Sequence, residues 1–264
     1  MKKQKIITLI VAIATTMTIN AQTIALHSST GVQIIKGNTA LATAYTAAQN
    51  GDTLYLSGHT FIPPGSFDKQ LSIFGAGHYV DSTLATGKTF INGNVTLNEN
   101  ADLFYLEGVE ITGKLTFANN ESANFVSIKR CKINGVIEIL GDLSNPSNNL
   151  ALIGNVLIGA VNLSNAQNVL ISNNILQYGL SLTNGNLITN NIFTERLTNG
   201  YYENFRGNNN QISNNIFLLC GSYGVTLGDG NIFTNNLFTC PNPGLGSNPT
   251  IIGNYTNILQ QAFK

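Results

Sequence analysis

Leu170-Ile-Ser-Asn-Asn-Ile-Leu176, Leu187-Ile-Thr-Asn-Asn-Ile-Phe193, Gln211-Ile-Ser-Asn-Asn-Ile-Phe217 and Ile232-Phe-Thr-Asn-Asn-Leu-Phe238 are four versions of one phrase. A unit returning about every 20 residues cannot bury its apolar face alone, so successive units must stack. Aligned on the apolar residue two places before the turn, the series reads Leu106, Ile128, Ile153, Ile171, Ile188, Ile212, Phe233 and Ile252. Its spacings of 22, 25, 18, 17, 24, 21 and 19 suit a solenoid whose loops vary while its strands keep register.

A second phrase keeps step with the first. Asn94-Val-Thr-Leu97, Lys114-Leu-Thr-Phe117, Val136-Ile-Glu-Ile139, Ala160-Val-Asn-Leu163, Gly179-Leu-Ser-Leu182 and Gly224-Val-Thr-Leu227 alternate apolar and polar residues. That period marks a strand with one buried face. Each coil therefore carries at least two short strands, paired in parallel with the next coil. Strand twist and crossover handedness favour a right-handed wind. The expected fold is all-β: a single-stranded right-handed parallel β-helix over residues 22–264, with coils over about 52–260. Asparagine tolerates the left-handed conformation of a sharp corner and can pass amide hydrogen bonds between coils. Asn173, Asn174, Asn190, Asn191, Asn214, Asn215, Asn235 and Asn236 are accordingly read as structural.

Both ends carry signals of their own. Lys2, Lys3 and Lys5 precede the apolar run Ile6 to Ala14, so residues 1–21 read as a secretory signal cut at Ala21-Gln22. The expected location is periplasmic, cell-surface or secreted. The run is too short for a transmembrane segment, which needs roughly 20 apolar residues, and no later segment reads as one. Thr39 to Gln49 is Ala-rich and helical in spacing, stopped by Asn50-Gly51, and reads as a helix covering the first rung. The series stops just after the Ile252 coil, so the C-terminal cap is minimal or the chain is a fragment.

Charged residues make up 10% of the 264-residue chain and the net charge is zero. That argues against nucleic acid, whose phosphates need clustered Lys and Arg. Cys131, Cys220 and Cys240 make no disulfide framework; Cys220 and Cys240, one repeat apart, either bridge or stay as buried thiols.

The helix before Gly51-Asp-Thr-Leu-Tyr-Leu56, the phrase Ile73-Phe-Gly-Ala-Gly77 and the Asn-Asn coils together resemble the pectin-lyase-like superfamily of parallel β-helix proteins. The order looks most like its secreted Bacteroidetes members, many without assigned function. The resemblance implies the fold and leaves activity open, since that fold hosts lyases, hydrolases, adhesins and binding proteins. It also implies where chemistry would sit: calcium on clustered acids with a basic proton acceptor in lyases, paired acids in glycosidases. Here the aspartates are scattered, and Gly58-His59 and Gly77-His78 are only fragments of a polygalacturonase phrase. No cofactor is expected, with Ca2+ relevant only to a lyase.

The coil alignment sets Glu107 over Lys129 and Glu110 over Lys132, a charge ladder between strands, and leaves Arg130 without an acid. Between Ile188 and Ile212 the second phrase is replaced by Asn199-Gly-Tyr-Tyr-Glu-Asn-Phe-Arg-Gly207, preceded by Glu195-Arg196. Its aromatic rings and charged groups suit a sugar. The candidate ligand-binding residues are Glu195, Arg196, Tyr201, Tyr202, Glu203 and Arg206; the bland alternative has the rings filling the coil. His27, His59 and His78 show no metal-ligand spacing and read as rim residues. The leading expectation is a non-catalytic exported protein contacting a polysaccharide or cell-surface glycan. The alternatives are a polysaccharide lyase, with Arg206 or Arg130 as base and Glu203 or Glu195 assisting, and a structural spacer.

Overall fold

A computed structural model describes residues 22–79, 87–118, 121–139, 144–194, 204–205, 207–218, 226–227, 229–239 and 248–256. The chain winds as a parallel β-solenoid whose coils contribute to three long sheets, one more than the two legible phrases, with a short fourth sheet of Ser147–Asn148 on Ala166–Gln167. The phrase preceding each Asn-Asn turn lies in a twelve-stranded first sheet. The two residues after the turn lie in a ten-stranded second sheet, and the alternating phrase in a seven-stranded third.

Register fixes the interior column of the first sheet as Leu54, Ile73, Leu106, Ile128, Leu152, Ile171, Ile188, Ile212, Phe233 and Ile251. Two alignment anchors are thereby corrected: Leu152 replaces Ile153, and Ile251 replaces Ile252. In both coils a glycine (Gly154, Gly253) takes the place of the first asparagine at positive φ, which hides the corner from an Asn-Asn count. The irregular coil is also corrected. Asn204–Phe205 continues the third sheet, pairing with Ser181 on one side and Thr226–Leu227 on the other.

The corner asparagines divide their labour. Asn173, Asn190, Asn214 and Asn235 take φ of 58, 57, 57 and 54°. Their successors point inward, and with Asn155 and Asn254 they form a continuous ladder. Each Oδ1 accepts from the backbone N–H and the Nδ2 of the preceding asparagine, for example Asn174 to Asn191 at 2.8 and 3.0 Å. Each Nδ2 also donates to a backbone carbonyl, as Asn191 does to Ile171 at 2.8 Å. The ladder starts at Cys131, whose backbone N–H donates to Asn155 Oδ1 at 2.9 Å. Its thiol is buried and free, and burial pushes its pKa up to about 12. A second ladder runs where the third sheet turns into the first: Asn186, Asn210 and Asn231, linked at 2.8 Å per step.

The N-terminal end departs from expectation. β1 (Thr23–Ser28) and β2 (Gly31–Lys36) form an antiparallel hairpin, and β1 pairs with β3 (Thr53–Leu56), so this hairpin covers the first rung's edge. The helix α1 (Ala40–Ala47) buries Ala40, Leu41 and Ala44 in the core. Its C-terminal carbonyls are held by Lys69, whose Nζ donates to Tyr45 O at 2.8 Å and Ala48 O at 2.9 Å. Helix and hairpin thus share the capping role that the sequence assigned to the helix alone.

Candidate functional site

Alternation in a strand sends every second residue of the first sheet outward. From β2 to the Ser127–Lys129 strand, that outward set is unusual for a solvent face. Val32 and Ile34 are 61% and 56% exposed and Tyr55 is 46% exposed. Tyr55 stacks on Phe74 with centroids 5.3 Å apart, and Phe74 meets Tyr105 at 5.3 Å. His27 closes one end against Tyr55 at 4.9 Å. Lys129 Nζ lies 5.1 Å from the Tyr105 centroid at the other. The result is an aromatic ladder crossing the strands, one ring per coil.

Charge gathers where this face turns into the second sheet. Lys129 is in register with Glu107, as aligned, but the ion pair to Glu107 comes from Arg130. Arg130 thus has the acidic partner that alignment denied it, because its φ of 47° turns the side chain back across the corner. The Tyr105 hydroxyl donates to the same carboxylate. Lys132 pairs with Glu110 at 2.9 Å as expected, and Lys88 joins it at 3.5 Å. Burial works against the Glu110 charge, yet hydrogen bonds from Lys132 and Asn134 and the nearby lysine charges outweigh it and hold the carboxyl below its usual range.

His78 is not the rim residue expected: it is buried behind this corner. Its Nδ1 lies 2.8 Å from the Arg130 carbonyl, which can only accept, so Nδ1 carries the proton. Nε2 is left as a buried acceptor without a partner among the described residues. Burial pulls the His78 pKa down, outweighing the hydrogen bond to the Arg130 carbonyl and the Glu110 charge, with Lys88 and Lys132 adding to the effect.

Three residues that are neither Gly nor Asn and lie at positive φ frame the same stretch: Leu103 at 61°, Phe125 at 57° and Arg130 at 47°. Leu103 and Phe125 are 58% and 56% exposed at corners where later coils place Asn149, Asn168 and Asn209. Holding such side chains in the left-handed region costs about 1–2 kcal/mol each.

Of the sequence candidates, Arg130 lies in this site. Glu195, Arg196, Tyr201, Tyr202, Glu203 and Arg206 lie outside the described residues, as do Cys220 and Cys240. Sequence reasoning missed Tyr55, Phe74 and Tyr105; the signal was one outward aromatic residue in each of three successive first-sheet strands. No cluster of three metal-ligating side chains occurs among the described residues, and none of their helices is long and apolar enough to cross a membrane. The chain is thus a parallel β-solenoid with an aromatic, charge-edged face. No family model matches it, and no curated protein or solved structure does either.

Proposed function

We propose that this chain is an exported, non-catalytic glycan-contact protein built in the manner of the pectin-lyase-like superfamily. It would meet a polysaccharide or cell-surface glycan with the outer face of its first sheet. The observation that carries the reading is the outward-facing ladder Tyr55–Phe74–Tyr105, exposed at Tyr55 and half-buried at Phe74 and Tyr105, ending on the Glu107–Arg130 pair. The ladder offers an apolar strip to the C–H face of sugar rings. Arg130 and Lys129 at its end supply donors for hydroxyl groups, with Arg130 braced by the buried Glu107. The left-handed conformations of Leu103, Phe125 and Arg130 around this face are the kind of local cost that functional surfaces retain.

Glycan-array binding followed by titration calorimetry tests it. Tyr55→Ala with Tyr105→Ala is expected to weaken binding at least tenfold while circular dichroism stays unchanged. Undiminished affinity in that variant, or no bound glycan at all, removes the proposal. Unsaturated-sugar absorbance on acidic polysaccharides would put the lyase reading in its place, and its loss in Arg206→Ala would locate the base.

A further inference from the structure

At the N-terminal end of the first sheet, β2 has one strand neighbour, β1, among the described residues. Edge strands that must stay apart carry charges, prolines or bulges. β2 reads Gly31-Val-Gln-Ile-Ile-Lys36, with no proline and with its one charge at the far end. Val32 and Ile34 stand outward with more than half of their surface in water, although an unpaired edge beside exposed aliphatic residues is what an added strand would cover.

We infer that β2 pairs antiparallel with β2 of a second copy about a two-fold axis through Gln33, joining two first sheets into one. The pattern is self-complementary. Centring on Gln33 sets Val32 opposite Ile34 of the second copy and Ile34 opposite its Val32, all four on the outer face. The charges allow it: Lys36 comes opposite Thr30 of the second copy, and no like charges meet. Moving the axis by one residue, so that Val32 faces Val32, would instead set Ile34 against Thr30 and leave less apolar surface covered. A closed two-fold contact of this kind uses the same edge on both chains and propagates no further. It stands on the strand edge alone and not on glycan binding, though it would place two aromatic ladders on one continuous face.

Sedimentation and light scattering of the purified protein test it, with a cysteine substitution to fix the register. A dimer is expected at micromolar concentration. Val32→Lys with Ile34→Lys should give a monomer with an unchanged circular dichroism spectrum. Gln33→Cys should form an intermolecular disulfide under mild oxidation, because directly opposed residues of an antiparallel pair have Cα atoms within disulfide reach. Val32→Cys alone should cross-link poorly. A monomeric wild-type protein overturns the inference. So does a dimer that survives the double lysine variant, and so does a Gln33→Cys dimer that fails to cross-link.

Discussion

Asn215 sits in the middle of the inner ladder with all four of its side-chain hydrogen bonds made. Its Oδ1 accepts from the Asn191 N–H at 2.9 Å and Asn191 Nδ2 at 3.0 Å, and its Nδ2 donates to Ile188 O at 2.9 Å and Asn236 Oδ1 at 3.0 Å. Asn215→Ala would orphan the buried Asn191 N–H and take one donor from the Ile188 carbonyl, while Asn191 Nδ2 keeps Ile171 O at 2.8 Å and Thr189 O at 3.0 Å. An orphan of that kind costs about 1–3 kcal/mol, so urea unfolding should show a loss on the order of 2 kcal/mol. Its neighbour Asn214 serves only the corner, at φ 57°. Asn214→Gly should change stability by less than about 1 kcal/mol, since glycine enters that region freely. Equal losses in the two variants would end the division of labour described above. His78 makes a second prediction. Its folded pKa lies below the ordinary 6.5, so the unfolded chain takes up the proton more readily. The stabilising contribution is therefore complete above that ordinary value and declines as pH falls from it toward the folded pKa. Thermal unfolding from pH 7.5 to 5 should show a falling midpoint in the wild type and a shallower fall in His78→Gln. Parallel slopes would acquit His78.

Among the elements, what the sequence disclosed depended on how much repetition each carried. The first-sheet strands and the alternating third-sheet strands repeat their pattern in coil after coil and were legible. The second-sheet strands span two residues each, Ile192–Phe193 or Ile216–Phe217 for example, too short for any period to register. Their inward side chains nevertheless form an aromatic stack, Phe193 on Phe217 at 4.5 Å and Phe217 on Phe238 at 4.7 Å. The β1–β2 hairpin escaped notice because it occurs once and pairs antiparallel, outside the repeat. The second asparagine ladder escaped because two of its three rungs show a single Asn, Gly185-Asn186 and Gly230-Asn231, and the third is the last of the run Asn208-Asn209-Asn210. In the coils of Gly113, Gly135 and Gly159, glycine lets the turn from the second sheet into the third pack closely: a Cβ on Gly135 would come within 2.5 Å of the Gly113 carbonyl oxygen. The candidate site was the least legible part. Its rings lie in three separate coils, and its Arg130–Glu107 pair depends on a corner conformation that an arginine rarely adopts.

Over the whole molecule the two halves are held by different chemistry. Ion pairs among the described residues all lie between Lys88 and Glu138. From Asn155 to Asn254 the coils are tied by amide rungs and apolar columns, and these bonds are buried and uncharged until the last rung, which is half open. A solenoid's stability is a sum over coils and their neighbour contacts, so opening should start where a coil has the fewest buried contacts. That place is the Thr250–Ile252 strand: Ile251 occupies the interior column but is 50% exposed, whereas Phe233 one coil earlier is fully buried. Hydrogen exchange should therefore show fast amides at Thr250 and Tyr255, although both donate to backbone carbonyls, and slow ones at Leu187, Gln211 and Ile232. Raising the salt concentration should leave the protection of these central amides unchanged, because their rungs are amide and backbone hydrogen bonds, while loosening the coils that contain Glu107 and Glu110. Uniform protection along the solenoid, or salt-sensitive exchange at these central amides, would mean that the coils open as one unit held by something other than the ladders.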